Sequence, residues 1–177
     1  MTLKMIGNFV FKLSKQRRGK ECVHLIYGMD ISVNAGNFMY FAPLLYLLKN
    51  GKFTPEQTIK IGQIYVEEMT NLHLGQGWDI LWHNIDKLNG KYPTENDYLQ
   101  MTSHKTGVLA RLSARLTCVY LGLSEEETNI IARFAETMGV AFQIQDDLLN
   151  LNAGKLSDSK GGRGEDIHEV IFYLILG

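Results

Sequence analysis

Apolar positions along the chain recur three and four residues apart. One set is Ile59, Val66 and Met69, with the polar Gln63 on the same stripe, a second Tyr98, Met101, Val108, Leu109 and Leu112, and a third Ile130, Ile131, Phe134 and Met138. That spacing is the signature of helices with one apolar stripe. Each set follows a helix-start signal. Thr54-Pro55-Glu56-Gln57 supplies a cap hydroxyl, proline at the first helical position and glutamine three after the cap. Ser124-Glu125-Glu126-Glu127 repeats the pattern with glutamate, and Pro93-Thr94-Glu95-Asn96-Asp97 is a weaker version. Strand-like alternation is scarce. The pattern predicts a single all-α domain of long helices, with loops at Lys49–Thr54, Lys87–Thr94, Leu121–Ser124 and a glycine-rich stretch at Gly154–Gly164.

Ile31–Leu48 holds 18 residues without a charge, the lower edge of a membrane-spanning length. Ser32, Asn34, Gly36 and Asn37 would leave polar groups in hydrocarbon, so a helix buried within protein is expected and no transmembrane segment. The final run Val170–Gly177 is apolar but too short to span a bilayer.

With 177 residues, 45% hydrophobic and 21% charged, the chain has the composition of a globular domain with a substantial core. Its two cysteines, Cys22 and Cys118, form neither a disulfide framework nor a CxxC pattern, which fits a reducing compartment such as the cytoplasm. The basic N-terminus keeps an organelle address open. A net charge of -1 argues against a nucleic-acid binder. The charge is uneven, though: Met1–Lys20 carries Lys4, Lys12, Lys15, Arg17, Arg18 and Lys20 and no acid, which invites an anionic partner.

Polar residues interrupt the apolar helices in three places, at a desolvation cost unless partners or ligands satisfy them. In His73-Leu74-Gly75-Gln76-Gly77-Trp78-Asp79, Gln76 and Asp79 share a face, and the two glycines lower helix propensity and permit close approach. A helix-packing glycine pair reads equally well there. His104-Lys105-Thr106-Gly107 puts a cation and a hydroxyl in an apolar helix; taken alone, this is a solvated face. Gln143, Asp146, Asp147 and Asn150 fall on one helical stripe. Adjacent inward carboxylates repel unless a cation neutralises them, and oxygen ligands of this kind suit Mg²⁺ shared with a phosphate. Lys160-Gly161-Gly162-Arg163-Gly164 is a basic loop able to close over phosphate, yet it lacks the Walker pattern. Glu21-x-x-His24 and Glu165-x-x-His168 match the element of di-iron bundles, but both flank basic glycine-containing loops.

In their order along the chain, Arg17-Arg18-Gly19, Tyr27-Gly28, Leu72 to Ile80, Lys105-Thr106-Gly107, Phe142 to Asp147 and Glu165 to Glu169 resemble the trans-polyprenyl diphosphate synthase family, most closely the eukaryotic geranylgeranyl diphosphate synthases. The likeness runs from about residue 14 to 169 within one partial synthase domain over 1–177. It implies an isoprenoid-synthase-like helical bundle and a Mg²⁺-dependent head-to-tail condensation of isopentenyl diphosphate with an allylic diphosphate, of geranylgeranyl or farnesyl type. By the same resemblance Asp146 would hold Mg²⁺ with Asp147 in support. Lys105, Thr106, Gln143, Lys160 and Arg17 would contact the allylic diphosphate, and Arg18 the isopentenyl one. Lys105, Gln143 and Asp146 would be the catalytic residues, and a homodimer is implied.

Where the family carries an aspartate-rich DDxxD motif before the arginine pair, this chain reads Asn8-Phe9-Val10-Phe11-Lys12. After Glu169 the family continues with Gly-Lys, and this chain reads Val170-Ile171-Phe172. Asn150 stands where many members have a third aspartate, as in the geranylgeranyl subgroup. Two expectations follow: a prenyltransferase domain trimmed at both ends with low turnover by itself, or a non-catalytic helical partner of a complete synthase.

Overall fold

A computed structural model describes residues 15–17, 19–82 and 93–152. A short antiparallel hairpin opens it, β1 (Gln16–Arg17) against β2 (Lys20–Glu21), with Gly19 at φ +73° between them. Helices follow: α1 (Val23–Tyr27), α2 (Met29–Lys49), α3 (Pro55–Trp82), α4 (Glu95–Thr102), a π-helical turn at Ser103–Gly107, α5 (Val108–Leu121) and α6 (Glu125–Asn152). This is the expected all-α architecture. Of the expected loops, Lys49–Thr54 and Leu121–Ser124 separate helices as read. Residues 87–92 of the Lys87–Thr94 loop and the whole of Gly154–Gly164 lie outside the described residues.

The three start signals act as capping boxes. Gln57 N donates to Thr54 Oγ1 at 3.2 Å while Thr54 N donates to Gln57 Oε1 at 3.0 Å. Ser124 and Glu127 exchange the same pair, and so do Thr94 and Asp97. The aspartate therefore completes the third box as fully as glutamate or glutamine completes the others. Gly122, at φ +70°, ends α5 in the left-handed conformation that favours glycine.

The core lies between α3 and α5. Ile61, Ile64, Tyr65, Met69 and Leu72 on α3 meet Val108, Leu112 and Val119 on α5, with Tyr40, Leu44 and Leu47 of α2 packed at the edge. Ile59 and Val66, part of the first apolar set, are exposed instead. The buried stripe of α3 is rotated from that set and includes Glu68. The second set behaves as read, with Tyr98, Met101, Val108 and Leu112 all buried.

Two expectations change. The uncharged helix is not enclosed: along α2 only Ser32 and Gly36 are buried, and Phe38, Phe41, Leu45 and Tyr46 are exposed. It packs against α1 and along one side on α3, and Phe38, Phe41, Leu45 and Tyr46 stay uncovered among the described residues. Met29–Lys49 is long and apolar enough to cross a membrane by length and composition alone. On α6 the apolar set Ile130, Ile131, Phe134 and Met138 also faces outward. The inward positions are Thr128, Ala132, Gln143 and Asp147, with Gly139 so close to the π turn that a Cβ there would meet Gly107 Cα at 2.8 Å. Small and polar residues face inward because the backbones touch, and bulk is left for the outside.

Candidate functional site

The π turn sits where α3, α4, α5 and α6 converge. A π turn holds one residue more per turn than an α-helix and commonly marks a functional position. Gly75 makes its approach to α3 possible: a Cβ at Gly75 would lie 2.5 Å from Lys105 N and 2.6 Å from His104 C. Gly77 has open space where its Cβ would be, so of the pair Gly75 and Gly77 only Gly75 serves a close approach.

The turn brings four of the expected site residues together. Lys105 Nζ lies 2.6 Å from Asp79 Oδ2, and Gln76 Nε2 donates to the same oxygen at 3.1 Å. Thr106 Oγ1 donates to Gln143 Oε1 at 2.9 Å. Gln143 Nε2 in turn donates to Asp147 Oδ1 at 2.7 Å. Tyr98 OH donates to the other Asp147 oxygen at 2.5 Å. Thr106, Gln143, Asp147 and Tyr98 thus form one chain of hydrogen bonds, and the amide orientation of Gln143 follows from it.

Burial pushes the Asp147 carboxyl above its ordinary value; the bonds from Tyr98 and Gln143 and the Lys105 charge oppose this without outweighing it, and Asp146 beside it adds to the rise. Burial and the Asp147 carboxylate together push the Tyr98 phenol upward as well. The two adjacent acids therefore differ. Asp147 is buried with both oxygens accepting hydrogen bonds, whereas Asp146 is only partly buried. Among the described residues no group of three or more His, Cys, Asp or Glu forms a metal cage.

Arg18 and Lys160 lie outside the described residues, as do Glu165 and His168 of the di-iron pattern, and Arg17 is placed only as backbone of β1. Sequence reasoning missed Tyr98 as a polar partner, because its ring reads as core. It also missed Glu68, which is fully buried on α3 and takes hydrogen bonds from Arg111 Nε at 2.9 Å, Arg111 Nη2 at 2.6 Å and Arg115 Nη1 at 2.6 Å. Its place between Tyr65 and Leu72 on a buried stripe was the available signal. An apolar cleft of about 700 Å³ lies between α2 and α3, lined by Tyr40, Phe41, Leu44, Val66, Met69 and Leu74.

Residues 10–176 match the family model for polyprenyl synthetase. A geranylgeranyl pyrophosphate synthase of Metarhizium anisopliae is 40% identical over 156 residues, covering 88% of this chain and 43% of that protein. One from Eremothecium gossypii is 34% identical over 149 residues, 84% of this chain and 45% of that protein. The chain spans less than half the length of these curated relatives. The crystal structure of geranylgeranyl pyrophosphate synthetase from Pyrococcus horikoshii Ot3 superposes with a TM-score of 0.76 at 27% identity, covering 94% of this chain and 50% of that one. A decaprenyl diphosphate synthase from Rhodobacter capsulatus shares the fold, with a TM-score of 0.78 at 23% identity, covering 99% of this chain and 52% of that one.

Proposed function

Because the chain belongs to the polyprenyl synthetase family, we propose that it carries one diphosphate-binding wall of a prenyltransferase. The reaction is a head-to-tail condensation of isopentenyl diphosphate with an allylic diphosphate, of geranylgeranyl or farnesyl type. The observation that carries this reading is the π turn, whose Lys105 ammonium pairs with Asp79 and whose Thr106 hydroxyl bonds to Gln143, itself bonded to Asp147. Relatives named as geranylgeranyl pyrophosphate synthases support the product class.

In such a condensation the allylic C–O bond breaks and diphosphate leaves with the electron pair. The double bond of isopentenyl diphosphate attacks the resulting cation, and a proton is lost. Charge on the leaving group is the main obstacle, so donors fixed in advance around it matter most. Lys105 would exchange part of its pairing with Asp79 for a phosphate oxygen. Thr106 would exchange its bond to Gln143 for the same group, and the second N–H of Gln143 would donate to it. Asp147, with both oxygens engaged, holds Gln143 in orientation. Asp146 would be the magnesium ligand, and one carboxylate fits an ion that completes its shell with diphosphate oxygens and water. Bound there, magnesium would stabilise negative charge on the departing diphosphate. Arg17, Arg18 and Lys160 would add diphosphate contacts through bidentate or point charges. The cleft between α2 and α3 would shelter hydrocarbon from water. Two free thiols, Cys22 and Cys118, support a cytoplasmic setting.

A second reading is favoured by the exposed apolar faces of α2 and α6: the chain would associate with another copy, or with a complete synthase, as a dimer. Incorporation of radiolabelled isopentenyl diphosphate into a longer allylic diphosphate in the presence of Mg²⁺ tests the first reading. Incorporation no higher than a protein-free blank rejects turnover by the isolated chain. Size-exclusion with a complete synthase tests the second, and two separate peaks at micromolar concentration reject it.

A further inference from the structure

Glu136 on α6 touches both ends of the π turn. Its carboxylate accepts the hydroxyl hydrogen of Ser103, the first residue of the turn. Its Cγ and backbone oxygen lie 3.1 Å from where a Cβ of Gly107, the last residue, would stand. Arg111 Nη1 holds the other carboxylate oxygen at 2.8 Å. The remaining donors of Arg111 grip Glu68, which is fully buried on α3 and also bonded to Arg115. A continuous chain of charge and hydrogen bonds thus runs Glu68, Arg111, Glu136, Ser103, from α3 through α5 and α6 to the start of the turn.

These contacts border a cleft of their own. Arg111, Arg115 and Glu136 line a polar cleft of about 640 Å³ whose lining includes none of Lys105, Thr106, Gln143 and Asp147. The residues aimed at the candidate diphosphate site, Lys105 and Thr106, lie within the same five-residue turn. A π turn is rare and occurs mostly as a single turn inserted within an α-helix, so contacts from neighbouring helices at its two ends bear on its shape. Bidentate arginine–carboxylate pairs are the rigid, directional kind of contact that can fix that shape.

We infer that Ser103 and Glu136 are positioning residues, a clamp that fixes the π turn so that the Lys105 ammonium and the Thr106 hydroxyl converge on one anion. The inference rests on the reading of Lys105 and Thr106 as diphosphate contacts, and deepens it by naming what holds them in place. It differs from a stability role in one respect: loosening the clamp moves Lys105 while the rest of the fold stays put.

The test uses the full chain carrying ¹³C-labelled lysine, with the Lys105 side-chain signal assigned by Lys105→Arg. Ser103→Ala is expected to shift and broaden that signal and to weaken binding of inorganic pyrophosphate with Mg²⁺ about tenfold, the usual scale for losing a group that orients a ligand-binding side chain. Ser103→Thr, which keeps the hydroxyl, is expected to restore both. Leu112→Ala, a core truncation with no place in the clamp, is expected to lower Tm and leave the Lys105 signal in place. If Ser103→Ala does not fold, Glu136→Gln tests the same link through its charge and is expected to shift the signal in the same direction. An unchanged Lys105 signal in the clamp variants, or an equal change in Leu112→Ala, overturns the inference. Should the unsubstituted chain bind no pyrophosphate, the diphosphate reading fails, and the lysine signal still decides the clamp.

Discussion

Tyr98 on α4 donates its phenolic hydrogen to Asp147 on α6 across 2.5 Å, and both residues are buried. This bond joins two helices at the candidate site and occupies one oxygen of a carboxylate whose other oxygen is held by Gln143. Tyr98→Phe removes the donor and keeps the ring, leaving a buried carboxylate oxygen short of a partner. The expected loss is about 1–3 kcal/mol of unfolding free energy by urea denaturation. Unchanged stability would show that the bond contributes nothing net.

Gly75 and Gly77 stand two apart on α3 and should respond in opposite directions. Gly75→Ala drives a methyl into the backbone at Lys105 and His104, where no flexible side chain can yield, and is expected to destabilise by about 1–3 kcal/mol. Gly77→Ala enters open space and is expected to stabilise by up to about 1 kcal/mol through helix propensity. Thermal unfolding of the two variants beside the unsubstituted chain checks both signs.

Glu68 sets an acid-dependent part of the stability. Burial pushes its carboxyl up, but hydrogen bonds and charge from Arg111 and Arg115 outweigh burial and hold it below its ordinary value of 4.5. A folded-state value below the unfolded one means that its contribution is fully present above about pH 4.5 and is lost as pH falls through the lowered value. Glu68→Gln should cost about 3 kcal/mol at pH 7, since both arginines keep a second carboxylate, in Glu136 and Glu67. It should also flatten the fall in stability below pH 4.5. Denaturation midpoints from pH 3 to 7 report both effects, and parallel curves for the two proteins would refute the assignment.

The two adjacent acids on α6 should separate in function. Asp146→Asn is expected to abolish the enhancement of pyrophosphate affinity by Mg²⁺. Affinity that still rises with Mg²⁺ in this variant would place the metal ligand elsewhere.

Helix starts were the most legible feature of the chain, because a capping box is a local exchange of hydrogen bonds and needs no knowledge of the fold. Thr54, Thr94 and Ser124 all cap as their spacing predicts. The direction each helix faces was less legible. The apolar set Ile130, Phe134 and Met138 marks one side of α6, but periodicity names a face without naming what covers it. Here the inward face is built of Thr128, Ala132, Gly139, Gln143 and Asp147, where backbones approach too closely for bulk. α2 shows the same limit, with an uncharged surface that is largely uncovered in a chain spanning less than half of its curated relatives. At the site, Lys105, Thr106, Gln143 and Asp147 were readable as polar interruptions of apolar helices. Tyr98, Ser103, Arg111 and Glu136 were not, because each resembles ordinary core or surface until tertiary contacts pair it.

In the proposed function the π turn presents Lys105 and Thr106 to a diphosphate. Calorimetric titration of an allylic diphosphate with Mg²⁺ into the unsubstituted chain and into Lys105→Met tests it most directly. Saturable one-to-one binding is expected, weakened at least about tenfold in the variant, the scale of one lost charge-assisted hydrogen bond. Equal affinities in the two proteins, or no saturable binding by the unsubstituted chain, would contradict it.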